Sequence, residues 1–288
     1  GDEAEAVGPQ RGEVEVLETL RARAHANGVP ELGFLRPADI RRREPDVTAV
    51  AALLSPQTGI VDAHALALSY AAEAEAHGAV LALRTDVLEI ERTGGGYRVA
   101  ARGGDGNVDA LRAAAVVNAA GLAADAVAAR AGFDVDARGY RLHPCKGDYF
   151  ALAPGAPIAV NHLVYPVPAG PGLGVHATLD LGGRIRFGPD SEYVDSLDYA
   201  VDPAKAPQFA TAVQPYLPGV DAAQLAPDFA GIRPKLAGPG EEFRDFVIAE
   251  ESDDGAPGFV NLIGIESPGL TAAPAIAVRV VDLLAGLS

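Results

Sequence analysis

Residues Val260–Leu284 read VNLIGIESPGLTAAPAIAVRVVDLL: an apolar run, a turn through Glu266-Ser267-Pro268-Gly269, and a helical pattern that continues almost to the end of the chain. A buried strand that turns tightly into a helix aims the helix's first N–H groups into a crevice. Those donors have no intrahelical partner, and with the helix dipole they favour negative charge. The stretch therefore predicts a strand–hinge–helix unit with a place for an anionic or electron-rich group at its hinge.

Working outward, the preceding segments APDFAGIRPKLAG (226–238), DFVIAEE (245–251) and GFVNLIGIE (258–266) read as strands, and DPAKAPQFATAVQPYL (202–217) as helical. Upstream, residues 141–189 are mostly strand-like and predict antiparallel hairpins, with Gly182-Gly183 as a two-residue turn. The segment LRAAAVVNAAGLAADAVAARAG (111–132) gives a buried strand, a small-residue turn at Asn118–Gly121 and a helix to about Arg130. After Gly78 the period changes from helix to strand, and residues 79–104 predict a strand and hairpin around Gly94-Gly95-Gly96. Earlier still, residues 13–27 form a helix ended by Gly28, LRPADIRRREPDV a short helix stopped before Pro45, and AALLSP a short strand. A long amphipathic helix then starts near Asp62 and stops at Gly78. Nothing in the opening GDEAEAVGPQRGEVEVL reads as a strand. A β-rich block bracketed by α/β segments predicts a mixed α/β and α+β chain of two domains, one of them discontinuous.

Composition narrows the function. The 288 residues are 49% hydrophobic and 22% charged, an ordinary globular balance, and a chain of this length buries roughly 75% of its unfolded surface. With 23 Lys and Arg against 39 Asp and Glu, the formal charge is −16. That argues against nucleic acid and anionic membrane as partners, both of which need a basic surface. It does not exclude a small acidic substrate in a locally basic pocket. A single cysteine, Cys145, excludes an intrachain disulfide framework and a cysteine-built metal or iron–sulfur site, and suits a reducing cytoplasm. No transmembrane run and no signal peptide is expected.

Several residues carry candidate chemistry. In FAGIRPKL, Arg233 and Lys235 are two apart and share a strand face. Arg233 reads either as a surface charge or, between Ile232 and Pro234, as a buried guanidinium that forks onto a carboxylate. Lys146 in HPCKGDYF is either a strand lysine reaching solvent or a second anion contact. His176 in GVHAT is either a hydrogen-bonded core histidine or a proton acceptor. Tyr165 in LVYPVP reads equally as packing or as a hydroxyl contact to substrate. His143 and His162 show no metal-ligand spacing, and no metal is expected. The chain has no G-x-S-x-G and no P-loop. The small-residue turn of VVNAAGL lets backbone approach a ligand closely, a feature common in α/β proteins.

The blocks CKGDYF, LVYPVP, LGVHATLDLGGRIRFGPD, GIRPKL and NLIGIESPGLTA, in this order, resemble the L-2-hydroxyglutarate dehydrogenase/oxidase group of the FAD-dependent oxidoreductases of D-amino-acid-oxidase type. The resemblance spans residues 13–286. It implies a discontinuous FAD-binding domain and a β-rich antiparallel substrate domain. Residues 1–45 would be a helical part of the substrate domain, 46–138 the middle segment of the FAD-binding domain, 139–245 the β-rich substrate domain, and 246–288 the C-terminal FAD-binding segment. It further implies FAD contacts at Val87, at Ala119, Ala120 and Gly121, and at Gly264, Ile265, Glu266, Ser267, Pro268, Gly269, Leu270 and Thr271. The helix start there would stabilise charge at the flavin N1–C2=O edge by about 0.3–2 kcal/mol. Arg233 matches an arginine that holds a substrate carboxylate in relatives. Lys146, Tyr165, His176 and Lys235 line the same pocket by inference, with His176 as the base and Lys146 as the second choice. The implied reaction is oxidation of a small L-2-hydroxy acid, with oxygen or a quinone as acceptor.

One departure stands against these matches. The group opens with a βαβ unit carrying G-x-G-x-x-G for the FAD pyrophosphate, and this sequence has neither that motif nor the acidic residue that follows it. A unit of roughly 30 residues or more is therefore expected to be missing, leaving neighbouring strands unpaired. The chain then reads as a fragment, as one part of a split enzyme complemented by an N-terminal polypeptide, or as a remnant without flavin that binds an acidic metabolite or a partner subunit. Within the enzyme class, an amino-acid or sarcosine-type FAD oxidase is the alternative.

Overall fold

A computed structural model describes residues 4–8, 11–29, 32–167 and 174–286; the end of LVYPVP and the start of LGVHAT lie outside them. The chain begins with β1 (Ala4–Gly8), α1 (Val14–Ala26), β2 (Gly33–Leu35), α2 (Pro37–Arg43) and β3 (Ala51–Ser55). Next come α3 (Ala63–Ala76), β4 (Asp86–Thr93), β5 (Gly96–Arg102), β6 (Val108–Ala113), β7 (Val116–Asn118) and α4 (Ala124–Arg130). The β-rich block holds β8 (His143–Leu152), β9 (Leu163–Pro166), β10 (His176–Leu179), β11 (Ile185–Gly188), β12 (Glu192–Tyr193), α5 (Ala206–Val213) and β13 (Leu225–Lys235). Last are β14 (Val247–Glu251), β15 (Ala256–Ile263) and α6 (Gly269–Ala285). Two compact units result: Gly1–Asp62, Lys146–Glu192 and Asp198–Gly231 form the first, and Ala63–Cys145, Tyr193–Leu197 and Ile232–Ser288 the second.

The first unit is built on a nine-stranded sheet ordered β12-β8-β11-β10-β9-β1-β3-β2, with β13 also pairing β8. Its core forms because α5 places Ala206, Phe209, Ala210 and Val213, at spacing i, i+3, i+4, i+7, against Phe150, Phe187 and Val164 of the sheet. Burying one such side chain as large as Phe209 contributes about 1.5–3 kcal/mol. The helix approach is fixed by Asp202, whose carboxylate accepts from Ala204 N at 2.9 Å. The opening residues correct the sequence expectation: Ala4–Gly8 is a strand, antiparallel to β3 and parallel to β9. Pairing along both edges gives this segment a ladder that its five residues do not announce locally. The β10–β11 turn also differs, since its backbone closes from Gly183 N to Asp180 O with only Gly183 at positive φ (+77°). The turn is thus longer than the expected two-residue Gly-Gly connection.

The second unit holds two small sheets, the antiparallel meander β4-β5-β6 and the sheet β14-β15-β7, in which β15 and β7 run parallel. Gly96 is required at the β4–β5 hairpin: its φ is +126°, and a Cβ there would lie 2.3 Å from Ala113 O. Phe259 anchors the core, edge-on to Phe133 at 5.0 Å and Tyr97 at 5.6 Å. Two expectations are corrected here. Residues 79–85 form no strand, and Val80 and Leu83 are 90% and 72% exposed. The helix α3 forms where expected but is not the amphipathic helix expected: its apolar side chains are spread around the helix, and none of its residues is buried. Strand β7 ends its sheet, with no partner beyond it among the described residues, and Val117 is 42% exposed.

Candidate functional site

In the second unit, the predicted cofactor residues converge from distant stretches of sequence. Ala119 and Gly121 of the turn after β7 line one apolar groove of about 530 Å³ with Ile265 of the hinge and Ala273, Ile276 and Val280 of α6. The turn itself is exposed; Gly121 has φ +56°, and a Cβ there would meet nothing within 4 Å. At the hinge, Gly264 has φ +73° and sits so close to Leu236 that a Cβ would fall 2.6 Å from its Cγ, so glycine is required. Gly269 N donates to Glu266 O at 2.5 Å and Ala272 N to Pro268 O at 3.0 Å, which starts α6. Pro268, the N-cap, makes no side-chain cap hydrogen bond, while Leu270 and Thr271 are exposed. Val87 lies in β4, where its carbonyl accepts from Arg130 Nη1 at 2.9 Å.

Strand β13 carries Arg233 and Lys235 into this unit. Both are half-buried, Arg233 lying between the surface charge and the buried guanidinium that the sequence left open. Lys235 Nζ lies 3.2 Å from Glu266 Oε1, so the strand is tied directly to the hinge. Arg233 Nη2 donates to Cys145 Sγ at 3.8 Å. Tyr193 shares this electrostatic environment. Burial, with Cys145 and Glu266, raises its phenol above the ordinary value, and Arg233 opposes the rise. Its hydroxyl is 2.9 Å from Ala237 O.

The remaining candidates belong to the first unit. His176 is buried, with its ring centroid 4.2 Å from that of Tyr165, and burial raises the Tyr165 phenol. Lys146 is also buried. Its ammonium donates to Ala200 O and lies 3.3 Å from Asp148 Oδ1. Asp148, fully buried, also receives Lys205 Nζ at 2.6 Å, and Lys205 reaches Asp190 at 2.9 Å and Glu192 at 2.7 Å as well. Burial works against that charge, but the three carboxylates outweigh it and raise the Lys205 pKa. His162 meets Glu44 Oε1 at 2.5 Å through Nδ1. Among the described residues no group of three or more His, Cys, Asp or Glu is arranged to hold a metal, and no helix is long and apolar enough to cross a membrane.

The sequence profile of the family described as FAD dependent oxidoreductase matches residues 6–283. The chain belongs to this family. Among relatives, the mitochondrial L-2-hydroxyglutarate dehydrogenase of Arabidopsis thaliana is 36% identical, over 94% of this chain and 63% of its own length. The glycerol 3-phosphate dehydrogenase of Caloramator mitchellensis is 30% identical, over 96% of this chain and 55% of its own length. The chain thus spans about 55–63% of these two relatives. Among solved structures, the dithionite-reduced L-alpha-glycerophosphate oxidase of Mycoplasma pneumoniae with FAD bound superposes with a TM-score of 0.84 at 25% identity, covering 98% of this chain and 72% of the other.

The family's cofactor can be tested against the residues in place. The exposed turn Ala119–Gly121, with room at Gly121, fits close approach of a dinucleotide to backbone, and the uncapped start of α6 fits an electron-rich ring edge. The groove beside them is lined by apolar side chains and offers the pyrophosphate no polar cradle. The turn and the start of α6 therefore fit a dinucleotide backbone and a ring edge, while among the described residues the groove between them supplies no polar cradle for a pyrophosphate. Sequence reasoning missed Tyr193, the Asp148–Lys205 pair, and three buried polar side chains, Asn118, Asn261 and Glu251, under the turn. In the sequence Asn118 marks only the start of a small-residue turn, and nothing in its neighbours marks Asn261 as its partner.

Proposed function

We propose that this chain is the substrate-binding and C-terminal flavin-binding part of an enzyme that oxidises a small L-2-hydroxy acid, of the L-2-hydroxyglutarate kind, to the 2-oxo acid. The observation that carries the reading is the tie between β13 and the hinge. The strand bearing the candidate anion-binding residues, Arg233 and Lys235, is bonded through Lys235–Glu266 to the hinge, the proposed flavin contact. Arg233 presents the planar fork that a carboxylate needs. Lys235, already paired with Glu266, adds positive field and positions the hinge. His176 is the proposed acceptor of the hydroxyl proton. Lys146 is held by a carbonyl and a carboxylate, contacts that suit a structural cation better than a base. In the reaction the C2–H bond breaks as hydride, the O–H proton goes to the base, and C2=O forms. FAD, when bound, supplies the acceptor for that hydride.

The second unit is the proposed flavin-binding domain and the first the proposed substrate domain. The unpaired edge of β7, the apolar groove and the bare helix α3 fit a βαβ dinucleotide-binding unit, supplied by a longer chain or a complementing polypeptide. We place the protein in the cytoplasm, with the reduced, buried Cys145 as the supporting feature. Glycerol 3-phosphate, which also sets an anionic group beside a secondary alcohol, is the second reading, supported by the 30% identical Caloramator relative.

The test is anaerobic flavin bleaching. The protein, alone and together with a βαβ-bearing partner segment, is mixed with FAD, and L-2-hydroxyglutarate, glycerol 3-phosphate and glycine are added in turn. Bleaching by the first alone supports the proposal, and bleaching by the second moves the substrate class to phosphorylated alcohols. A flavin that only glycine bleaches returns the enzyme to the amine oxidases, and protein that stays colourless in both forms removes the enzyme reading. Readmitting oxygen or adding a quinone then distinguishes the acceptor by which one restores the colour.

A further inference from the structure

The turn that carries Ala119, Ala120 and Gly121 is underpinned by three buried polar side chains joined in one line. Asn118 and Asn261 face each other as partners in the β7–β15 register. Asn118 Nδ2 donates to Asn261 Oδ1 at 2.8 Å and to Ala124 O at 2.8 Å, and its Oδ1 faces Ala120 N at 3.4 Å. Asn261 Nδ2 donates to Glu251 Oε1 at 2.8 Å. That carboxylate also accepts from the Tyr140 hydroxyl at 2.9 Å and from Arg138 Nη1 at 2.7 Å. Asn118 and Glu251 are 2% exposed and Asn261 is fully buried.

The chemistry of the groups gives this line a direction. An ionised carboxylate only accepts, so Glu251 forces Asn261 to present its NH₂ toward it and its oxygen toward Asn118. Asn118 must then present its NH₂ to Asn261. With both of its N–H groups engaged, its oxygen is left facing the turn at Ala120. Reversing any one amide would set two acceptors or two donors against each other in a buried place, at a cost of about 1–3 kcal/mol for each group left unsatisfied. The charge that fixes the whole sequence is itself held by Arg138, which is also ion-paired to Asp254.

We infer that Glu251 is a positioning residue for cofactor binding, acting through Asn261 and Asn118 to hold the Ala119–Gly121 turn in the conformation that meets FAD. The inference rests on the reading of that turn as a FAD contact.

The experiment measures the FAD dissociation constant by fluorescence quenching, at a temperature where far-UV circular dichroism shows each variant folded. It uses the full protein, complemented where necessary. Glu251→Gln allows Arg138 to claim the amide oxygen, which turns the NH₂ toward Asn261 and reverses the line. FAD affinity is expected to fall about tenfold or more, the weight of one charge-assisted hydrogen bond. Asn118→Asp on its own is expected to do the same, because it cannot donate to Asn261. Combined, Glu251→Gln and Asn118→Asp let the line run backwards through Asn261, and the joint loss of affinity is expected to be smaller than the sum of the single losses, short of full recovery because Asn118→Asp still sets a carboxylate oxygen against Ala124 O. A merely structural role would lower the melting temperature additively and leave the dissociation constant unchanged. Unchanged affinity in a folded Glu251→Gln, or additive losses in the double variant, overturns the inference. If Asn118→Asp does not fold, Glu251→Gln read alone decides it. Failure of the unmodified protein to bind FAD instead removes the flavin reading on which the inference rests.

Discussion

Two helices of similar apolar content meet opposite fates. In the first unit, α5 buries Ala206, Phe209, Ala210 and Val213 in a core that the sheet closes. In the second, α3 buries nothing, and Leu68 and Tyr70 stand 56% and 46% exposed. The difference begins in the helices themselves: α5 gathers its apolar residues on one face that the sheet receives, whereas α3 spreads its apolar residues around its circumference and presents no such face. The first unit closes its core around α5, whereas the second keeps an apolar groove, an exposed turn and a strand edge with no partner among the described residues, the features on which the proposal of a further element and a cofactor rests.

The sharpest way to break this comparison is to truncate one residue on each helix. Phe209→Ala, at full burial, is expected to cost about 4 kcal/mol of unfolding free energy, whereas Leu68→Ala should stay within about 0.5 kcal/mol. Urea unfolding of both variants checks this, and comparable losses would mean that α3 is packed after all. Charge gives the next largest effect. Lys205→Met leaves the fully buried Asp148 with the Lys146 ammonium and removes the Lys205 contact of Asp190, at an expected cost of about 3 kcal/mol. A loss below about 1 kcal/mol would place this network with ordinary surface ion pairs. In the second unit the expected readout shifts from stability to ligand. On the proposed role of Arg233, Arg233→Ala should weaken binding of L-2-hydroxyglutarate about a hundredfold while FAD affinity stays within about twofold, the cost of losing a forked, charge-assisted contact to the substrate carboxylate. Isothermal titration with each ligand tests it, and equal loss of both would remove the carboxylate assignment.

Much of this was legible in the sequence because it is local. The period of 206–213, the glycine stops at Gly28 and Gly78, and the strand–hinge–helix of 260–284 all declare themselves within a few residues. Family blocks carried the candidate residues to the turn, the hinge and β13. What stayed hidden was long-range. Ala4–Gly8 becomes a strand through partners near residues 53 and 164. Residues 79–85 carry a strand pattern but lack a neighbouring ladder, so the pattern alone does not make a strand. The Asn118–Asn261 contact joins residues 143 apart, and the Lys235–Glu266 pair joins two residues each singled out for separate reasons. Side-chain type was readable, whereas pairing needed the fold.

The smallest effect tests how far the first unit's self-sufficiency reaches into its turns. Asp180 closes the β10–β11 connection: its Oδ1 accepts from Gly182 N and Arg184 N, each at 2.9 Å, and its Oδ2 from Arg184 Nε at 2.7 Å. The Arg184 backbone N–H, then the Arg184 guanidinium, hold its carboxyl below the ordinary value of 3.8. A carboxyl depressed in the folded state contributes stability that is complete above its unfolded value and disappears as pH falls through the folded one. Asp180→Asn should therefore cost no more than about 1 kcal/mol at pH 7, the range of a largely solvated ion pair. The stability curves of the variant and the unmodified protein should converge only below pH 3.8. Chemical denaturation across that range checks the sign. Curves that stay parallel through it would mean that the turn is held by its backbone hydrogen bonds alone, with the carboxylate charge contributing nothing.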